Sequence, residues 1–229
     1  MYDLEKDWHD VALPVSSRAA ELAATPAQQR AVAIAACRHS LDQAAILPVN
    51  GSLTHSVTLG LRRTLAGNAD AFRSALDARG LKIDLTSLVP FARWVTPVTE
   101  ARRFDTCFFI TRAPAGQDGL VGEAPEVSRF WAGPAAVLAR WEQGQVALDP
   151  PAHYTLSTLS TLRDVDEALA LAKTLPLTPI QPHVIDYDGT VAQTLPGDPE
   201  HPEHVLVLRG QTRYVLRGAQ WRPEPEPLA

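Results

Sequence analysis

Trp94-Val95-Thr96-Pro97, Arg102-Arg103-Phe104-Asp105-Thr106, Phe108-Phe109 and Pro114-Ala115-Gly116-Gln117 follow one another in the most informative stretch of this 229-residue chain. Apolar and aromatic residues fill Val89 to Val98, and Phe104 to Thr111 is a run of the type found in buried strands. The reading is two adjacent strands joined by a short turn around Thr99 and Glu100. Asp105, beside Phe104 in such a strand, then needs a backbone or arginine partner.

Upstream, Thr25-Pro26-Ala27-Gln28 places a capping hydroxyl, a proline at the first helical position and a glutamine at the third. Alanine-rich sequence carries the resulting helix to about Ile46, where Pro48 and Asn50-Gly51 stop it. Asn68 to Arg79 is another helix, ended by Gly80. Downstream, Pro134 opens a helix that Gly144 closes, and Thr158 to Thr174 reads as one further amphipathic helix. Pro176 to Pro202 holds many of the 19 prolines and the turns Asp188-Gly189 and Pro196-Gly197-Asp198, so it is expected to wander over the surface. Val205 to Leu208 and Arg213 to Leu216 flank Gly210 as a hairpin, and beyond Trp221 the Pro-Glu pairs read as a frayed tail.

Hydrophobic residues at 45% and charged residues at 21% describe an ordinary globular protein long enough to bury a core. A net charge of -5 excludes a nucleic-acid binder that relies on a global positive field. Met1 to Asp10 lacks the apolar stretch of a signal peptide, and no run is apolar enough to cross a bilayer, so a cytoplasmic protein is expected, with no membrane partner. Cys37 and Cys107 are the chain's two cysteines and have no second cysteine beside either, which excludes a disulfide framework and a thiolate zinc signature and leaves them as small hydrophobes. There is no phosphate-cradling glycine loop, no GxSxG elbow and no HExxH helix. His201-Pro202-Glu203-His204 has metal-binding residue types, but its proline and turn-rich setting disrupt ligand spacing.

The stretch from Trp94 to Gln117 resembles the acyl-coenzyme A diphosphatase branch of the Nudix hydrolases. There a Trp-x-Thr-Pro strand precedes Arg-Arg-Phe-Asp-Thr, a paired-phenylalanine strand, and an acidic residue ahead of a Trp-x-x-Pro helix start. Glu126 and Trp131-Ala132-Gly133-Pro134 match the last elements, and Leu195-Pro196-Gly197-Asp198-Pro199 looks like a segment of bacterial members. The resemblance covers roughly residues 11 to 221, with its specific core at 94 to 134. It implies an α/β (α+β) fold, a Nudix-like α/β/α sandwich with a mixed sheet. It also implies a division into a Nudix-like domain at 1–175 and a Pro-rich extension at 176–229 carrying a C-terminal hairpin.

That register puts the Nudix box, G-x5-E-x7-R-E-U-x-E-E-x-G-U, on the helix from Thr25, with Arg38-His39-Ser40-Leu41-Asp42-Gln43-Ala44-Ala45-Ile46 as its second half. In the family, carboxylates at i, i+3 and i+4 share one helix face and hold Mg²⁺ or Mn²⁺, which polarises the diphosphate and activates water. Here those positions are His39, Asp42 and Gln43, and Ala45 replaces the box glycine. Gln43 offers a neutral carbonyl, and His39 is a poor magnesium ligand. The family's Phe-Pro-Gly-Gly-Arg segment has only Val11 to Arg18 as a counterpart. Ten residues precede Val11, too few for the missing strands at ~5 residues each. The N-terminal strands are therefore expected to be truncated, and an exposed sheet edge predicts a homodimer.

The resemblance implies site roles that stand beside plainer ones. Glu126 is a candidate catalytic base or a solvated loop residue; His39 is a weaker catalytic candidate or a surface histidine. Asp42 and Glu123 are candidate metal ligands, Asp42 equally an ordinary helix carboxylate. Arg102 and Arg103 are candidates for binding the substrate or for structural ion pairs. Two functions follow. One is a Nudix scaffold that has lost hydrolysis and serves as a binding, regulatory or dimer-forming protein, with a nucleotide or coenzyme A-type small molecule as partner. The other is a working hydrolase of coenzyme A, acyl-coenzyme A or nucleoside diphosphate derivatives, using Mg²⁺ or Mn²⁺.

Overall fold

The computed structural model describes residues 8, 11–67, 69–124, 127–207 and 210–224, and the chain is a mixed α+β protein. Two compact units divide it: Met1–Phe91 with Phe109–Trp131, and Ala92–Phe108 with Ala132–Ala229. The division falls inside two paired strands, β1 (Val89–Val95) and β2 (Asp105–Ile110), where the sequence places them.

In the first unit, α1 (Pro26–Ala44) starts as its sequence dictates. The Thr25 hydroxyl accepts the Gln28 N–H, and Gln28 accepts the Thr25 N–H at 3.1 Å, which closes a capping box. The helix ends two residues before the expected Ile46, because Ala45 turns left-handed at φ 54 and donates its N–H to Leu41. Ile34, Cys37 and Leu41 of α1 enter a core with Leu61, Phe72 and Leu76. Leu61 belongs to α2 (His55–Gly67), a helix that its sequence does not announce; Thr54 starts it by accepting the Val57 and Thr58 N–H groups. Phe72 and Leu76 lie on α3 (Ala69–Asp77), which ends two residues before the expected Arg79, while Asn68 lies outside the described residues. A hairpin of β3 (Gly122–Ala124) and β4 (Val127–Arg129) completes the unit. Among the described residues of the N-terminal segment, Ala12 forms an isolated parallel bridge to Ile83.

The second unit is built on a four-stranded antiparallel sheet in sequence order: β5 (His183–Tyr187), β6 (Thr190–Thr194), β7 (Arg213–Arg217) and β8 (Gln220–Glu224). Its helices are α4 (Pro134–Glu142), α5 (Pro150–Ser160) and α6 (Val165–Ala172). Ile180 joins the β1 backbone as a parallel bridge at Trp94.

Four expectations need correction here. The single helix at 158–174 is two helices, because Asp164 adopts extended backbone and its carboxylate caps the Glu167 N–H of α6. The segment at 176–202 does not simply wander: Asp188-Gly189 closes the β5–β6 hairpin, and Leu195, Asp198 and His201 are buried. The final hairpin pairs 213–217 with 220–224, so the strand expected at 205–208 is absent at Val205 to Val207, while Leu208 lies outside the described residues. Residues 222–224, expected to begin a frayed tail, belong to that last strand instead. Among the described residues no helix is long and apolar enough to cross a membrane.

Candidate functional site

Helix α1 turns its apolar side to the core and leaves His39, Asp42 and Gln43 on its outer side, as their i, i+3, i+4 spacing requires. His39 is exposed. Asp42 is not open. Its Oδ2 accepts the Gln43 side-chain amide at 2.7 Å, and its Oδ1 lies 3.9 Å from Nη2 of Arg62 on α2. Arg62 also donates through Nε to the Asp42 carbonyl, which fixes the guanidinium beside the carboxylate. Ala45, where the box pattern has glycine, has the left-handed backbone that glycine favours.

The loop after β2 is fastened to the end of α1 by a side chain acting as backbone. Buried Gln117 accepts the Leu47 N–H at 2.7 Å and donates to the Leu47 carbonyl at 2.9 Å. Leu120 N–H reaches the Ala44 carbonyl at 2.8 Å, and Arg129 Nε reaches the Gln43 carbonyl at 3.1 Å. Two of the carbonyls that α1 leaves open at its end are thus closed from the β3–β4 hairpin and its lead-in. Trp131 closes the hairpin's other side by stacking on Gly119 and donating to the Asp118 carbonyl at 2.7 Å. Glu123 lies in β3, where the backbone alone is described, and Glu126 lies outside the described residues. The β3–β4 hairpin, whose first strand includes Glu123, is therefore anchored to the same helix end as Asp42.

A hard divalent cation needs several oxygen ligands of high charge. Among the described residues no group of three His, Cys, Asp or Glu side chains is gathered. On α1 the one carboxylate is shared between an amide and a guanidinium, so the described residues of this face do not fit Mg²⁺ or Mn²⁺.

Arg102 and Arg103 belong to the second unit and have different surroundings. Arg103 Nε donates to the Thr96 carbonyl at 3.1 Å, while Thr96 and Phe104 exchange backbone and hydroxyl hydrogen bonds at 2.9 Å across the neck of the loop. Arg102 stacks its guanidinium over Phe104, 5.0 Å from the ring centre, at the rim of a cleft of about 440 Å³. Trp94, Phe108 and Trp221 supply further aromatic surface to that cleft. Arg93, which sequence reading did not single out, takes Asp105 in a two-pronged ion pair at 2.8 and 2.6 Å. This provides the arginine partner expected for Asp105, on an exposed rather than buried strand end, since Phe104 is 53% exposed.

The remaining polar clusters are structural. His201 accepts the Glu203 N–H on Nδ1 at 2.9 Å and gives Nε2–H to the Gln181 carbonyl at 3.0 Å, which uses both ring nitrogens. Arg213, fully buried, grips Asp198 through Nε and Nη2 and reaches Glu200 at 2.7 Å. Burial lifts the Cys37 thiol to about 12 and the half-buried Cys107 thiol to about 11, so neither is a nucleophile at neutral pH.

No protein-family model matches the chain, and no curated protein matches it. Among solved structures, it is similar to the crystal structure of a NUDIX hydrolase from Alicyclobacillus acidocaldarius, at 23% identity and a TM-score of 0.48, over 70% of this chain and 71% of that one.

Proposed function

We propose that the chain is a Nudix-superfamily protein that has lost diphosphate hydrolysis and acts as a binding, regulatory or dimer-forming protein. The supporting observation is the state of Asp42, the lone carboxylate of the three-residue face, which is engaged by Gln43 and faced by Arg62. A cation arriving there must displace a guanidinium and still lacks two anionic ligands. Loss of even supporting groups at metal sites costs about 10- to 100-fold in affinity or activity. The proposed partner is a nucleotide or coenzyme A-type small molecule. A homodimer belongs to this reading, because β3–β4 is a two-stranded sheet whose flanks expose Val121, Phe130 and Trp131.

One observation favours the second reading, an active hydrolase: the hairpin whose first strand includes Glu123 is anchored to the end of α1, and Glu126, outside the described residues, falls between its two strands in sequence. Calorimetric titration with Mg²⁺ and Mn²⁺ separates the two. The proposal expects no saturable cation binding; saturable binding that is lost in Asp42→Ala or Glu126→Ala favours the hydrolase.

A further inference from the structure

We propose that the cleft of the second unit binds a planar aromatic compound carrying an anionic group, with its ring on the aromatic wall and its anion at Arg102. This deepens the binding half of the reading above and does not depend on whether the chain hydrolyses anything. At about 440 Å³ the cleft falls within the range of about 300–1,000 Å³ typical of small-molecule sites. Its lining includes Trp94, Phe104, Phe108 and Trp221, aromatic side chains that favour a flat partner over a branched one.

Charge selects the rest of the ligand. The neighbouring arginines are committed, Arg93 to Asp105 and Arg103 to the Thr96 carbonyl. Arg102 forms no ion pair among the described residues and rests on Phe104, with its guanidinium at the cleft rim. Two carboxylates also line the cleft. Asp149 spends its charge on the N-terminus of α5, where its Oδ1 accepts the Ala152 N–H at 3.1 Å. Glu100 stands on the exposed turn, where water screens it. An anion at Arg102 therefore meets an uncompensated guanidinium that can grip it with two parallel N–H groups.

The site is also formed in advance. The loop that carries Arg102 is closed at its neck by the Thr96 and Phe104 hydrogen bonds and by Arg103, so binding has little loop disorder to remove. Arg103 is thus a positioning residue and Arg102 the contact.

The test uses the full chain and calorimetry with 2-naphthoate, its neutral amide, cyclohexanecarboxylate, adenosine 5′-monophosphate and adenosine. The expected result is that an aromatic anion binds about tenfold tighter than its neutral counterpart, and that naphthoate outbinds cyclohexanecarboxylate. Preference within the naphthoate pair assigns a carboxylate ligand, and preference within the adenosine pair a phosphate one. Arg102→Gln, an exposed substitution, should abolish the preference for the anion while leaving the neutral ring bound. Equal binding of acid and amide in both pairs, a preference that survives Arg102→Gln, or no binding of any aromatic anion would overturn the proposal. None of these results bears on hydrolysis, which a separate assay of product release reads.

Discussion

His153 of α5 is buried between the Trp141 ring, 4.4 Å away centre to centre, and the Tyr214 hydroxyl, 3.1 Å from its Nδ1. Burial first, and then the Arg222 charge, holds its proton affinity below the ordinary histidine value of 6.5. The folded chain therefore takes up this proton later than the unfolded chain as pH falls, and stability is lost on acidification below about 6.5. Urea midpoints measured between pH 8 and pH 5 should decline below that value, with a shallower slope in His153→Gln. A slope unchanged by the substitution would exclude His153 as its source. Gln117 gives a second prediction at this scale. Gln117→Leu strands the N–H and carbonyl of fully buried Leu47 and should cost about 2–4 kcal/mol, read from the denaturant midpoint. Neither role was legible in the sequence, because each depends on a partner 61 or 70 residues away. Asp105 was more legible: a carboxylate beside a strand needs a donor, and only the donor's identity, Arg93, required the structure.

Local signals with a mechanism succeeded at the level of elements, and those that compete with context did not. Thr25-Pro26-Ala27-Gln28 opens α1 because both halves of its capping box lie within one turn. Asp164 performs a similar task for α6, yet the apolar pattern of 158–174 runs through it and hides the break. Asp188-Gly189 is a two-residue hairpin turn with both residues left-handed, at φ 52 and 75. The prolines on either side masked that signal. Since no atom lies within 4 Å of a Cβ added at Gly189, Gly189→Ala tests backbone strain alone and should cost about 1–2 kcal/mol. Thermal unfolding reads this directly; an unchanged midpoint would contradict the left-handed turn. The α1 face allows an opposite kind of test. His39→Glu combined with Gln43→Glu restores carboxylates on either side of Asp42, and the double variant should gain Mn²⁺ binding measurable by calorimetry. No gain would count against the box register.

At the scale of the whole molecule, the α+β class was legible from alternating helix and strand signals, and the strand pair at 89–95 and 105–110 from its aromatic runs. The division into two units was not, because it falls inside those strands, between Phe91 and Ala92 and between Phe108 and Phe109, where the apolar pattern runs on unbroken. Of the candidate site residues, Asp42 and His39 share the outer side of α1 as their spacing requires, and the β3 hairpin reaches that helix through Leu120 and Arg129. Arg102 belongs instead to the rim of an aromatic cleft in the other unit, and Arg103 to the loop that carries it. What spacing could not reveal is Arg62, which arrives from a helix with no sequence signature and occupies the place beside Asp42 that a cation would need. The proposed loss of hydrolysis rests on that juxtaposition. Its most direct test is product release from coenzyme A and acyl-coenzyme A with the purified chain in Mg²⁺ or Mn²⁺. The account predicts no phosphoadenosine product above the protein-free blank; metal-dependent turnover that disappears in Asp42→Ala would contradict it.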